Sequence, residues 1–109
     1  MQIAFQKNDI VVTAAMREHV DRRLRFALSR FGERVRRVSV SFRGADDLQD
    51  ECNVNCRVEV TVADLGAIPA EDADTDGYVA VDRAIERVAR AVRRAITLLD
   101  EHKSLGRNQ

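Results

Sequence analysis

The sequence predicts one α+β domain of order β-α-β-β-β-α, a four-stranded sheet with two helices packed on one face. Three observations predict it: two stretches with apolar residues at helical spacing, two that alternate at every second residue, and a single proline in a segment suited to a sheet edge. A chain of 109 residues is long enough to build one core of this kind.

Ile3 and Phe5 alternate with Gln2, Ala4 and Gln6 and predict a short first strand with one buried face. Lys7 to Asp9 follow as a turn, and Thr13 is a candidate N-cap because its hydroxyl accepts a backbone N–H. Met16, Val20, Leu24, Ala27, Leu28 and Phe31 then form the apolar stripe of a first helix ending near Gly32. In RVSVSFR, Val38, Val40 and Phe42 oppose Arg37, Ser39, Ser41 and Arg43. After the turn-like GADDLQDE, Cys52, Val54, Cys56, Val58, Val60 and Val62 share one face and Asn53, Asn55, Arg57, Glu59 and Thr61 the other. These two segments read as an antiparallel hairpin with its apolar face against the helices and its polar face open to water.

Gly66 permits a tight turn, and AIPAEDA is a candidate fourth strand that Pro69 confines to a sheet edge, since proline cannot donate to the ladder. The second helix carries Tyr78, Val81, Ile85, Val88, Val92, Ile96 and Leu99 on its apolar stripe, with Asp72, Asp74 and Asp76 before its positive N-terminal end. The domain is expected to span residues 1–102, leaving 103–109 as a frayed tail.

Composition narrows the function. The chain is 45% apolar and one third charged, without an apolar run long enough to cross a bilayer. Lys7, Asn8 and Asp9 arrive too early for the apolar core of a signal peptide, which implies a cytoplasmic protein. Cys52 and Cys56 lie on one strand face about 13 Å apart, too far for a mutual disulfide, and are expected to be buried as small hydrophobes. His19 and His102 lack partner spacing for zinc, and His19 beside the apolar stripe reads as a half-buried packing residue. There is no nucleophile–base pairing, no glycine-rich phosphate loop and no HExxH helix, so neither an enzyme nor a cofactor is implied.

What stands out is charge. Eighteen bases and eighteen acids cancel, yet residues 13–44 hold nine arginines against three acids, while residues 45–76 hold ten acids against Arg57. Arg83, Arg87, Arg90 and Arg94 recur at i, i+4, i+7 and i+11, a stripe about 16 Å long with Arg93 beside it. Glu86 is the only acid in RAIERVARAVRRA. The first helix repeats the bias with Arg17, Arg22, Arg23, Arg25 and Arg30 against Glu18 and Asp21. An amphipathic helix needs a solvated face in any case, but a face serving only solubility usually mixes signs. Two helices side by side on one sheet face turn their outer surfaces the same way, so the two sets can merge into a phosphate-binding surface. The expected scarcity of exposed aromatics argues against base stacking on single strands and favours recognition of a folded RNA through backbone and shape.

MQIAFQKNDIVVTAAMREHVDRRL resembles the start of the ribosome hibernation-promoting factor and ribosome-associated inhibitor family, and DGYVAVDRAIERVARAVRR resembles that family's acidic approach to a basic last helix. The resemblance spans roughly residues 1–96 and implies a double-stranded-RNA-binding-domain-like fold. It further implies a bacterial cytoplasmic protein that binds the small ribosomal subunit through both helices and stalls translation under stress. By position, Arg17, Arg22 and Arg23 match basic positions of the family's first helix, and Arg87, Arg90, Arg93 and Arg94 those of its last. Arg83 lies where members often carry an uncharged or acidic residue. His19 replaces a usual tyrosine, Gly77 a larger apolar residue, and the acidic, proline-bearing segment AIPAEDADTDG a regular strand. The chain looks like a short form of the family. The acidic segment also motivates an alternative: a divergent member acting as a protein-interaction module without ribosome binding.

Overall fold

Backbone alternation and helical spacing translate into the expected order of elements. The computed structural model describes residues 1–6, 8–44 and 54–107, with side chains through residue 104. Its elements are β1 (Gln2–Phe5), α1 (Ala14–Leu28), a 3-10 segment (Ser29–Arg34), β2 (Val35–Gly44), β3 (Val54–Val62), β4 (Gly66–Asp74) and α2 (Gly77–Arg107). The turn expected at GADDLQDE and the position of Cys52 lie outside the described residues.

The strands lie in the order β1-β2-β3-β4. β1 runs parallel to β2, with α1 as the crossover that a parallel pair requires, and β2, β3 and β4 form an antiparallel meander. Register places the apolar set on one face: Ile3 opposes Val38, Phe5 opposes Val40, and Val40 opposes Val58, which in turn opposes Ala70. Val20, Leu24 and Leu28 of α1 and Val81, Ile85, Val88 and Val92 of α2 complete the buried core with the valines of β2 and β3 and with Phe42. The sheet is one-sided. Its other face carries Ser39, Ser41, Arg57 and Glu59, where the Arg57 guanidinium is held above its ordinary value by hydrogen bonds first to Glu71 and then to Glu59.

Local chemistry sets the boundaries. Thr13 Oγ accepts from the Met16 N–H at 3.1 Å, the expected N-cap of α1. The chain breaks direction at Gly32, whose φ of +58° is strained for side-chain-bearing residues. Between β3 and β4 a three-residue turn, Ala63 to Leu65, is closed by Leu65 N–H donating to Val62, and Gly66 beyond it has a φ of +78°. Asp76 starts α2 by accepting the Tyr78 N–H on its side chain and the Ala80 N–H on its carbonyl.

Two expectations are corrected. Helical spacing puts Tyr78 on the apolar stripe, yet it is 40% exposed, with its ring edge-on to His19 at 4.9 Å between centroids. Residues 103–107, assigned to a frayed tail, continue α2 as helix to Arg107. Glu101 to Leu105 contains no strong helix breaker, and two ion pairs tie the last turns to the body: Arg34–Asp100 at 3.0 Å and Lys103–Asp64 at 3.5 Å.

Candidate nucleic-acid interface

The two helices share one groove, but the expected arginines do not all meet there. Between α1 and α2 runs a groove of about 400 Å³, lined by Arg23 and Phe26 of α1, by Arg30 of the 3-10 segment that follows it, and by Glu86, Ala89 and Arg90 of α2. On the far side of α2, Arg87, Arg90 and Arg94 line another groove against Pro69 and Glu71 of β4. Arg90 therefore belongs to both. It sits on the crest of α2, with Arg93, Arg94 and the exposed Leu98 close along the helix.

Some of the expected residues are spoken for. Asp72 and Asp74 occupy helix-facing positions of β4, cross-strand from Cys56 and Val54, so their half-buried carboxylates reach the second helix. Asp72 meets Arg87 at 3.0 Å and Asp74 meets Arg83 at 3.6 Å. Arg25 is paired with Asp21 one turn earlier at 2.9 Å. Arg23 shares Asp82 with His19, at 3.3 and 2.7 Å, a tie between the helices that accounts for the half-buried histidine. Arg17 and Arg22 lie on the opposite flank of α1 beside Ile3 and Phe5, and the Arg17 guanidinium covers the Phe5 ring at 4.7 Å. Arg30, Arg90, Arg93 and Arg94 have no carboxylate within 4.0 Å among the described residues.

Two features go beyond the sequence reading. Arg30, counted in the basic bias of the first helix but not singled out by the family resemblance, lines the interhelical groove. Phe26 is 84% exposed there, against the expectation that exposed aromatics are scarce. Its position was legible: it stands two residues from both Leu24 and Leu28, about 200° around the helix from the buried stripe.

Chemically, the surface offers cationic, planar hydrogen-bond donors and one aromatic ring, which suits a polyanion with flat bases. Cys56 adds nothing to it, since burial keeps its thiol protonated by pushing its pKa up to about 12. Among the described residues, no cluster of three His, Cys, Asp or Glu is placed to hold a metal ion, and no helix is long and apolar enough to cross a membrane.

The model of the sigma 54 modulation protein / S30EA ribosomal protein family matches residues 3–98. The chain belongs to that family. Two solved structures share the S30EA-type fold seen here. The N-terminal domain of Protein Y from Thermus thermophilus aligns with a TM-score of 0.66 at 22% identity, covering 85% of this chain and 93% of that one. A ribosomal subunit interface protein from Coxiella burnetii aligns with a TM-score of 0.69 at 17% identity, covering 89% and 99%. No curated protein matches the chain by sequence. In this S30EA family member, Arg23, Arg30 and Arg90 are the basic residues that line the groove between α1 and α2.

Proposed function

We propose that the protein is a cytoplasmic, ribosome-associated translation inhibitor of the hibernation-factor type, which binds small-subunit rRNA through the basic faces of both helices. Family membership supports the ribosome as partner. The observation that supports the interface is the meeting of Arg23 and Arg30 with Arg90 in one groove, because it brings cations from separate parts of the chain within reach of one polyanion.

Co-sedimentation with isolated small ribosomal subunits tests this reading. Wild-type protein is expected to pellet with the subunits at low salt and to be released as salt rises, each neutralised phosphate adding roughly 0.7 to 0.9 to the log–log slope. Arg90→Glu with Arg94→Glu is expected to lose the association and keep its melting temperature, since both side chains are exposed. Unchanged pelleting of that double variant overturns the interface.

The pairing of Arg83 and Arg87 with Asp74 and Asp72 favours a second reading, in which charge compensation has traded rRNA for a mixed-charge protein surface. Sucrose-gradient fractionation of cell extract separates the two. Protein confined to the soluble top fractions, in growing and starved cells alike, selects the second.

A further inference from the structure

We propose that the groove between α1 and α2 takes an unpaired nucleotide of RNA, its base stacked on Phe26 and its phosphates held by Arg23, Arg30 and Arg90. The inference deepens the rRNA-binding reading and rests on it for the source of the RNA.

Phe26 contributes little to the core, being 84% exposed. Single exposed apolar residues are ordinary on protein surfaces. This one is distinguished by its neighbours, for the groove it lines holds three arginines and Glu86, and of the three only Arg23 has a carboxylate partner, Asp82, among the described residues. A ring set among cations matches a ligand that has both a π-face and negative charge, and nucleotides supply both. An apolar protein segment would cover the ring but leave the arginines desolvated without partners. Duplex RNA would satisfy the arginines, but its base faces are covered by stacked neighbours and cannot reach a protein ring. An unstacked nucleotide, in a loop, bulge or single strand, satisfies both halves of the groove. Arg30 and Arg90 have no competing carboxylate within 4.0 Å among the described residues, so neither must break an ion pair to engage phosphate.

The test measures fluorescence anisotropy with a short labelled single-stranded RNA and with the same sequence annealed into a duplex, using wild type, Phe26→Ala and Phe26→Trp. Wild type is expected to prefer the single strand. Phe26→Ala should weaken that binding about ten- to a hundredfold and erase the preference, leaving the salt slope unchanged because no charge is removed. Phe26→Trp should restore it. Thermal unfolding of each variant checks that the fold is intact. Equal binding of the single strand by wild type and Phe26→Ala overturns the proposal, as does the absence of single-strand binding by wild type.

Small-subunit co-sedimentation of the same proteins separates this inference from the ribosome reading. Phe26-dependent binding of the oligonucleotide without subunit association supports the nucleotide site and removes the ribosome. Subunit association that needs Phe26 while oligonucleotide binding does not would place a ribosomal protein against the ring and overturn the site.

Discussion

Arg87 Nε lies 3.0 Å from Asp72 Oδ2, joining the basic face of α2 to an acid on the helix-facing side of β4. The same strand supplies Asp74 to Arg83. Removing both carboxylate charges with Asp72→Asn and Asp74→Asn is expected to release two arginines toward RNA, raising affinity at low salt and steepening the log–log salt slope. The stability cost should stay within about 1 kcal/mol per pair, as these ion pairs are partly solvated. Salt-titrated RNA binding beside thermal melting checks both halves.

Position on the helix ranks the arginines by effect. Arg90 is on the crest shared by two grooves, whereas Arg25 is occupied by Asp21. Arg90→Ala should weaken RNA binding and lower the salt slope by roughly one phosphate's share, and Arg25→Ala should change neither appreciably. Anisotropy titrations at several salt concentrations discriminate them.

Asp82 is the joint between the helices, accepting from His19 and lying against Arg23. Asp82→Ala is expected to cost about 1 kcal/mol, seen as a fall of roughly 4–8 °C in melting temperature. Because the change also frees Arg23, RNA affinity should not fall in parallel with stability. A variant that loses RNA binding and keeps its melting temperature contradicts this assignment.

Cys56 supplies a pH signature. Buried in the sheet, it keeps its proton to about pH 12, whereas an unfolded thiol releases it near 9.0. Between those values the folded form holds the extra proton, so the stabilising contribution is complete below 9.0 and is lost as pH climbs to about 12. In a Cys52→Ser background, alkylation of Cys56 at neutral pH is expected only after unfolding in urea. Cys56→Val should melt with a shallower alkaline decline than its parent.

Residues whose roles depend on local period were readable before the structure. Val38, Val40 and Phe42, and the valines of β3, fall on the face their alternation predicted, and Thr13 caps the helix it precedes. The pairing of Asp72 with Arg87 was not readable, because it depends on how the edge strand registers against a helix that follows it in the chain. The acidic segment reads from the sequence only as an excess of charge on an edge strand, whereas in the fold two of its acids pair with particular arginines of α2. Phe26 differs in kind: it falls out of phase with the buried stripe, so helical period alone assigns it no role.

The parallel pairing of β1 with β2 carries a consequence for assembly. The meander and α2 are built from consecutive segments, while the four residues of β1 reach the sheet only after all of α1 has been laid across it. Their ladder has one neighbour and an open edge. Amide hydrogens of Gln2–Phe5 should therefore exchange with solvent through a local opening of lower free energy than global unfolding, making β1 the last strand to lock and the first to release.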